Sequence, residues 1–287
     1  MKKNKEKIIA ICYDYDKTLA PLDSSFDYGF FDKLGITPGE FWGEVNSLRT
    51  LGCLDDVLSY MYYAVLKAKQ KGISITKQDF ENFGKNAVYY KGLETWFNRI
   101  NKYAKKNGYT VEHYIISSGL KQFIQNTSIA KNFKKIYASD YIYDNEGNPV
   151  WPAFAINYTN KTQYLYRIKK DVLEENDPKI NDRLIDHNSR VPFKNMIYIG
   201  DSATDIPCMS IVVKNGGTSI GVYEDLPIKK ELMLKLFENN RINNYCYADY
   251  SENSELEKTV FKTIDKIKLE DDEKIKAPSK EQGFELN

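Results

Sequence analysis

At 287 residues, with 42% hydrophobic and 28% charged side chains, the chain can bury a sizeable core as one large domain or as a domain with a smaller insertion. A formal net charge of +1 excludes a nucleic-acid or membrane-surface role driven by bulk electrostatics, and no apolar run approaches membrane-spanning length. The cysteines (Cys12, Cys53, Cys208, Cys246) lie far apart with neither C-x-x-C nor zinc-site spacing, so free thiols in a reducing, cytoplasmic setting are expected.

Basic residues open the chain, but the apolar run behind them reaches only Tyr13 before Asp14 interrupts it, and no small-residue cleavage site follows; no secretory leader is expected. That run, from Ile8, has the pattern of a strand buried on both faces. From Ser24 to Tyr90 the character turns helical. PGEFWGEVNSLRTLG opens with Pro and Glu in its first turn, and CLDDVLSYMYYAVLKAKQKG spaces its apolar residues helically up to Gly72. TKQDFENFGKNAVYY sets Thr76 three residues before Asp79, a loose capping box. The Tyr, Phe and Met stripes of this block read as helix-packing surfaces.

An α/β rhythm resumes near Gly92. GLETWFNRINKYAKKNG predicts a helix ended by Gly108, VEHYIISSG a strand entering a small-residue turn, LKQFIQNTSIAKNF a helix and KKIYAS a short strand. YIYDNEGNPVWPAFAINYT carries a turn signal between aromatic and β-branched residues and predicts a hairpin. Then come the helix KTQYLYRIKKDVLEEN and NMIYIGDSATD, a strand meeting a turn. Strands within SIVVKNGGTSIGVYED and INNYCYADY follow, with a helix between them and another from Glu255 to Leu269. The remainder, EDDEKIKAPSKEQGFELN, is charged and poor in apolar residues and is expected to be disordered. Alternating strands and helices predict a doubly wound parallel α/β sheet, which binds ligands at the carboxyl ends of its strands.

Four polar clusters fall at tips that such a sheet brings to one edge. They are Asp14-Tyr15-Asp16-Lys17-Thr18, Ser117-Ser118-Gly119, Lys161 at a helix start, and Asp201 with Asp205. Singly, each reads as ordinary punctuation, because Asp, Ser, Thr and Gly favour strand ends and helix caps. Together they read differently. Carboxylates gathered at one edge repel one another unless a cation joins them, and an oxygen-only set suits Mg²⁺, which keeps open positions for phosphate oxygens. A hydroxyl and backbone N–H groups at Ser117–Gly119, with the Lys161 ammonium, would complete an anion pocket.

These clusters, in order and spacing, resemble the motifs of the haloacid dehalogenase (HAD) superfamily of phosphohydrolases, phosphoserine-phosphatase-like branch. DYDKT resembles its D-x-D-x-T signature, IISSG its strand ending in Ser or Thr, Lys161 its third-motif lysine and GDSATD its G-D-x-x-x-D motif. The resemblance covers Ile8 to Leu269. It implies a Rossmannoid core (1–20 and 92–269), a helical cap inserted at 21–91, a small β-hairpin flap near Tyr141–Tyr158 and a disordered tail from 270 to 287. It further implies that Asp14 is the nucleophile forming an aspartyl phosphate, an aspartate being already ionised at neutral pH. Asp16 would protonate the leaving oxygen and then activate water, and Mg²⁺ would be held by Asp14, Asp201 and the backbone carbonyl of Asp16. Ser117 would bond a phosphate oxygen with Ser118 or Gly119 offering an N–H, Lys161 would bind phosphate, and Thr18 and Asp205 would support the site, Asp205 by orienting Lys161. SATD departs from the frequent G-x-N-D form at Ser202 and Thr204.

In that branch an acid soon after the first motif contacts the substrate amine; Asp23 occupies a comparable place and equally suits a helix cap. Arg49 suits a solvated face better than a substrate carboxylate. His113 is expected at a strand edge and His187 in a loop. The expected activity is Mg²⁺-dependent hydrolysis of a small phosphorylated metabolite, with no nucleic-acid or membrane partner. A phosphotransferase using an acceptor other than water, or a non-catalytic phospho-ligand-binding protein, are the alternatives. Neither the phosphomonoester nor the oligomeric state is readable.

Overall fold

Strand β1 (Ile8–Tyr13) is buried along its whole length. Ile9, Ile11 and Tyr13 join the core on one face of the sheet, and Ile8, Ala10 and Cys12 join the core on the other. An unbroken apolar run is what a strand covered on both faces requires, and each large side chain so buried contributes roughly 1.5–3 kcal/mol. The computed structural model describes residues 6–22, 26–52, 54–183 and 189–276, so Asp23, Cys53 and His187 lie outside the described residues.

Among the described residues, four helices, α1 (Phe30–Leu34), α2 (Pro38–Gly52), α3 (Asp56–Gln70) and α4 (Lys77–Lys85), stand between β1 and α5 (Leu93–Lys106). There follow β2 (Thr110–Leu120), α6 (Lys121–Ile124), β3 (Phe133–Tyr143), β4 (Pro149–Phe154) and α7 (Lys161–Lys170). The chain then forms β5 (Met196–Gly200), α8 (Ile206–Lys214), β6 (Thr218–Tyr223), α9 (Pro227–Glu238), β7 (Asn244–Tyr247) and α10 (Glu255–Lys276). The seven strands run in the order β4-β3-β2-β1-β5-β6-β7. All neighbours are parallel except the β3–β4 hairpin. From β1 the chain builds outward through β2 and β3, then crosses back to place β5 on the other side of β1. That reversal opens a crevice at the carboxyl ends of β1 and β5.

The helical segment is tied to the sheet by packing. Phe30, Phe41 and Phe80 belong to the same continuous core as Ile9 and Ile11. Thr76 and Asp79 form a reciprocal capping box at the start of α4, and Asp55 caps α3 by accepting from the N–H groups of Val57 and Leu58. Near the end of α4, a Cβ at Gly84 would lie 2.3 Å from the carbonyl oxygen of Phe123, so only glycine permits this close approach. The buried Tyr141 hydroxyl of β3 donates to the Met61 carbonyl of α3 at 2.7 Å.

Several elements differ from the sequence expectation. The helix expected over LKQFIQNTSIAKNF is the four-residue α6, because Asn126 and Thr127 turn their side chains onto the carbonyls of Gln122 and Ile124. Helix α7 stops at Lys170, where Asp171 takes a left-handed φ of 60°. Residues 270–276, expected within a disordered tail, continue α10; Asp271 is held there by Lys194 and by the Tyr109 hydroxyl at 2.8 Å. Residues 277–287 lie outside the described residues. His113 is not at a strand edge but buried within β2, where its ring meets the Tyr13 hydroxyl at 3.1 Å and Asn101 at 2.9 Å. Burial holds its pKa down to about 3, keeping it neutral.

Among the described residues no helix is long and apolar enough to cross a membrane, and Cys12, Cys208 and Cys246 are free and buried. The sheet's outer strands are β4, which contains Pro149 and Pro152, and the four-residue β7.

On β2, Glu112 accepts a two-pronged ion pair from Arg190 and a bond from Lys134 at 2.7 Å. Burial alone would raise this carboxyl, but the bonds from Arg190, Lys134 and Tyr114 outweigh it and bring its pKa from 4.5 down to about 2. A folded value below the unfolded one gives stability that is complete above pH 4.5 and lost as pH falls toward about 2. Glu112→Gln is therefore expected to lower the melting temperature at neutral pH, with the deficit shrinking through that acid window. Thermal melts across the pH series check this; a deficit that does not change with pH would refute it.

Candidate active site

Asp14 follows the last residue of β1, and its backbone N–H donates to the Ile199 carbonyl of β5 at 3.0 Å, fixing it between the two central strands. The chain then folds tightly back on itself. The N–H groups of Thr18, Leu19 and Ala20 all reach the Tyr15 carbonyl, Lys17 takes a φ of 57°, and the Tyr250 hydroxyl donates to the Thr18 carbonyl at 2.7 Å. Asp14 and Asp16 both line a cavity of about 340 Å³ at this edge, together with Ser118, Gly119 and Asp201.

Asp201 leaves the end of β5, and Asp205 lies one turn later at the entry to α8. Carboxylate oxygens of Asp14, Asp201 and Asp205 all lie within 4.8 Å of one another, and each of these residues is buried. Two such charges 4.8 Å apart repel by roughly 3–4 kcal/mol at an effective dielectric of about 20. Taken over the cluster, that repulsion rivals the net stability of a whole domain, about 5–15 kcal/mol. Ionised together, these acids need cations beside them.

Lys161, the first residue of α7, supplies one. Its side chain is wholly buried, and Nζ donates to Asp14 Oδ1 at 3.1 Å, Asp205 Oδ1 at 2.8 Å and Thr204 Oγ1 at 3.4 Å. Burial pulls the lysine's pKa down, but Asp14 and Asp205 more than restore it, so it is held above its ordinary value and stays charged. Lys229, in the first turn of α9, supplies another: its Nζ lies 2.9 Å from Asp201 Oδ2, while Thr18 Oγ1 donates to Asp201 Oδ1 at 3.3 Å.

Asp205 is fully subscribed. Besides Lys161, its Oδ1 accepts from the Tyr198 hydroxyl at 2.8 Å, and its Oδ2 from the N–H and hydroxyl of Ser202 at 3.2 and 3.0 Å. It anchors Lys161, while Asp14 and Asp201 reach the cavity. A Cβ at Gly200 would sit 2.7 Å from the Asp205 carboxyl, which explains why a glycine must precede Asp201.

Burial, then repulsion from Asp205, raises Asp14 well above the usual carboxylate range, against the pull of Lys161. The same two causes push Asp201 up to about 6, against Lys229. Both shifts describe a cluster short of positive charge, and its oxygen donors fit a hard divalent cation.

The two serines part company. Ser117 is fully buried and its Oγ accepts from the Gly119 N–H at 3.0 Å. Ser118 lines the cavity, its Oγ has no hydrogen-bond partner, and its carbonyl accepts from the Tyr60 hydroxyl of α3. Arg49 pairs with Asp56 at 3.1 Å and is not part of the lining. Sequence reasoning missed Lys229, Tyr198 and the cavity rings Phe26, Trp42 and Tyr60. A lysine in the first turn of a helix that follows a parallel strand was the available signal for Lys229.

A family model described as haloacid dehalogenase-like hydrolase matches residues 11–210. A Borreliella burgdorferi protein described as uncharacterized is 24% identical over 288 residues, spanning 91% of this chain and 98% of its own. Among solved structures, a probable phosphoserine phosphatase from Vibrio cholerae is similar with a TM-score of 0.57 at 14% identity, covering 93% of this chain and 67% of that one. A substrate-bound phosphoserine phosphatase gives 0.51 at 16% identity, covering 85% and 93%. A HAD family hydrolase from Salmonella enterica serovar Typhi gives 0.52 at 18% identity, covering 80% and 67%. At these identities the likeness is one of fold.

Gly200→Ala presses a methyl group onto the Asp205 carboxyl and is expected to destabilise the protein by about 1–3 kcal/mol. Denaturant unfolding measures this. An unchanged midpoint would mean that Asp205 does not lie against residue 200.

Proposed function

The chain belongs to the haloacid dehalogenase-like hydrolases, and on that premise we propose that it is an Mg²⁺-dependent phosphatase that hydrolyses a small phosphomonoester through an aspartyl phosphate on Asp14. The observation that carries this reading is Asp14 itself, a carboxylate on the cavity wall with a buried ammonium 3.1 Å behind it and Asp201 within 4.8 Å. Such a carboxylate is already a nucleophile once ionised; it needs relief from the charge of an incoming phosphate, not a base.

Asp14 and Asp201, with the backbone carbonyl of Asp16, would hold the ion, and when bound it would supply positive charge to the acids and to the phosphate oxygens. Lys161 holds Asp14 Oδ1 and so orients the attacking carboxylate. Attack by Asp14 forms the acyl–phosphate bond as the ester O–P bond breaks, and the leaving oxygen takes its proton from Asp16. In the second half, Asp16 accepts a proton from water, which attacks phosphorus and returns Asp14 as a free carboxylate with release of phosphate. Ser117 or Ser118, with Gly119, would contact phosphate oxygens; that Ser118 and Gly119 line the cavity, and that the Gly119 N–H donates to Ser117 Oγ at 3.0 Å, supports this grouping. We read residues 21–91 as a cap over a core made of 1–20 and 92–269; its rings on the cavity wall and the bond from Tyr60 to Ser118 support that division. A cap excludes water while the phosphoryl group moves.

Asp14→Asn is expected to abolish phosphate release, by at least about a thousandfold if only binding and orientation remain, while circular dichroism shows an intact fold. Phosphate release at the wild-type rate from that variant would refute the nucleophile. Dialysis against EDTA should remove activity and added Mg²⁺ restore it, because the acids must share a cation; full turnover in metal-free buffer would refute the cofactor.

A further inference from the structure

One wall of the cavity is charged, and the part contributed by the helical segment is not. Phe26, Trp42 and Tyr60 line it, and among the described residues no charged side chain from 26–91 joins them. The three rings pack edge to face, with centroids 5.9 Å apart for Phe26–Trp42, 6.1 Å for Trp42–Tyr60 and 5.6 Å for Phe26–Tyr60. Phe26 and Tyr60 are buried, whereas Trp42 is only partly so and keeps surface to offer.

The chemistry of that wall discriminates between leaving groups. The ammonium and carboxylate of an amino-acid ester would be desolvated against these rings, and among the described residues of 26–91 no side chain on that wall carries an opposite charge to meet them. Arg49, the cationic candidate there, is occupied by Asp56. An aromatic ring instead extends the edge-to-face cluster and gains both buried area and ring–ring attraction. At about 340 Å³ the cavity lies near the small end of ligand sites, about 300–1,000 Å³, and suits a single ring system with its phosphate. We propose, resting on the phosphatase reading, that the substrate is the phosphomonoester of an alcohol carrying a planar aromatic or heteroaromatic ring, and that Trp42 is the residue that selects it.

The full chain with Mg²⁺ is assayed on benzyl phosphate, pyridoxine 5′-phosphate, butyl phosphate and O-phosphoserine. All are esters of primary alcohols, so their intrinsic reactivity is comparable. kcat/KM for the ring esters is expected to exceed the other two by about tenfold, the size of one aromatic stacking contact. Trp42→Ala should collapse that ratio and Trp42→Phe should preserve it. Equal or better hydrolysis of phosphoserine or butyl phosphate, or a ratio that Trp42→Ala leaves unmoved, overturns the inference while leaving the phosphatase reading standing. If no ester is turned over, that reading falls by itself, and calorimetric titration of the Asp14→Asn protein decides the ring site. Tighter binding of pyridoxine 5′-phosphate than of phosphoserine supports it; equal or weaker binding overturns it.

Discussion

The ammonium of Lys161 lies 3.1 Å from Asp14 and 2.8 Å from Asp205 with none of its side chain exposed, and the rest of the edge is arranged around that contact. Ionised carboxylates this close are costly without it, since removing one partner of a buried pair typically costs about 3–5 kcal/mol. The ammonium in turn needs a fixed seat. Tyr198 and Ser202 hold Asp205 from two further sides, and Gly200 leaves room for it by having no side chain. A strand, a tight turn and a helix start thus converge on one positive charge, and the reactive carboxylate inherits its position from them.

That dependence explains which parts of the site were legible in the sequence. Asp14, Asp201, Asp205 and Lys161 stand where strands and helices end, and the apolar run before Asp14 marks its strand without ambiguity. The unbroken apolar run of β1 and the capping box at Thr76 are local patterns, readable because few residues decide them. Lys229 was not legible, because its meeting with Asp201 depends on strand order and not on spacing. Likewise, which of Ser117 and Ser118 faces the cavity turns on how β2 ends, and one residue of register reverses it. The shortened α6 shows the limit of helical pattern: Asn126 and Thr127 compete for the backbone with their own side chains.

The helical segment between β1 and α5 does more than cover the edge. Its rings share one apolar core with the sheet, from Ile9 and Ile11 up to Phe41 and Tyr60. The same packing that stabilises the fold therefore shapes the cavity wall, and the contact at Gly84 sets how closely α4 can press on the Phe123 backbone. Stability and cavity shape are coupled through these contacts.

The outer strands carry a separate consequence. A parallel sheet invites foreign backbone to hydrogen-bond along its rim, the first step of strand addition and aggregation. Here one rim strand contains Pro149 and Pro152, which have no N–H to donate, and the other is only the four residues Asn244–Tyr247. Neither rim offers an uninterrupted ladder of donors and acceptors, which disfavours strand addition at either side of the seven strands found among the described residues.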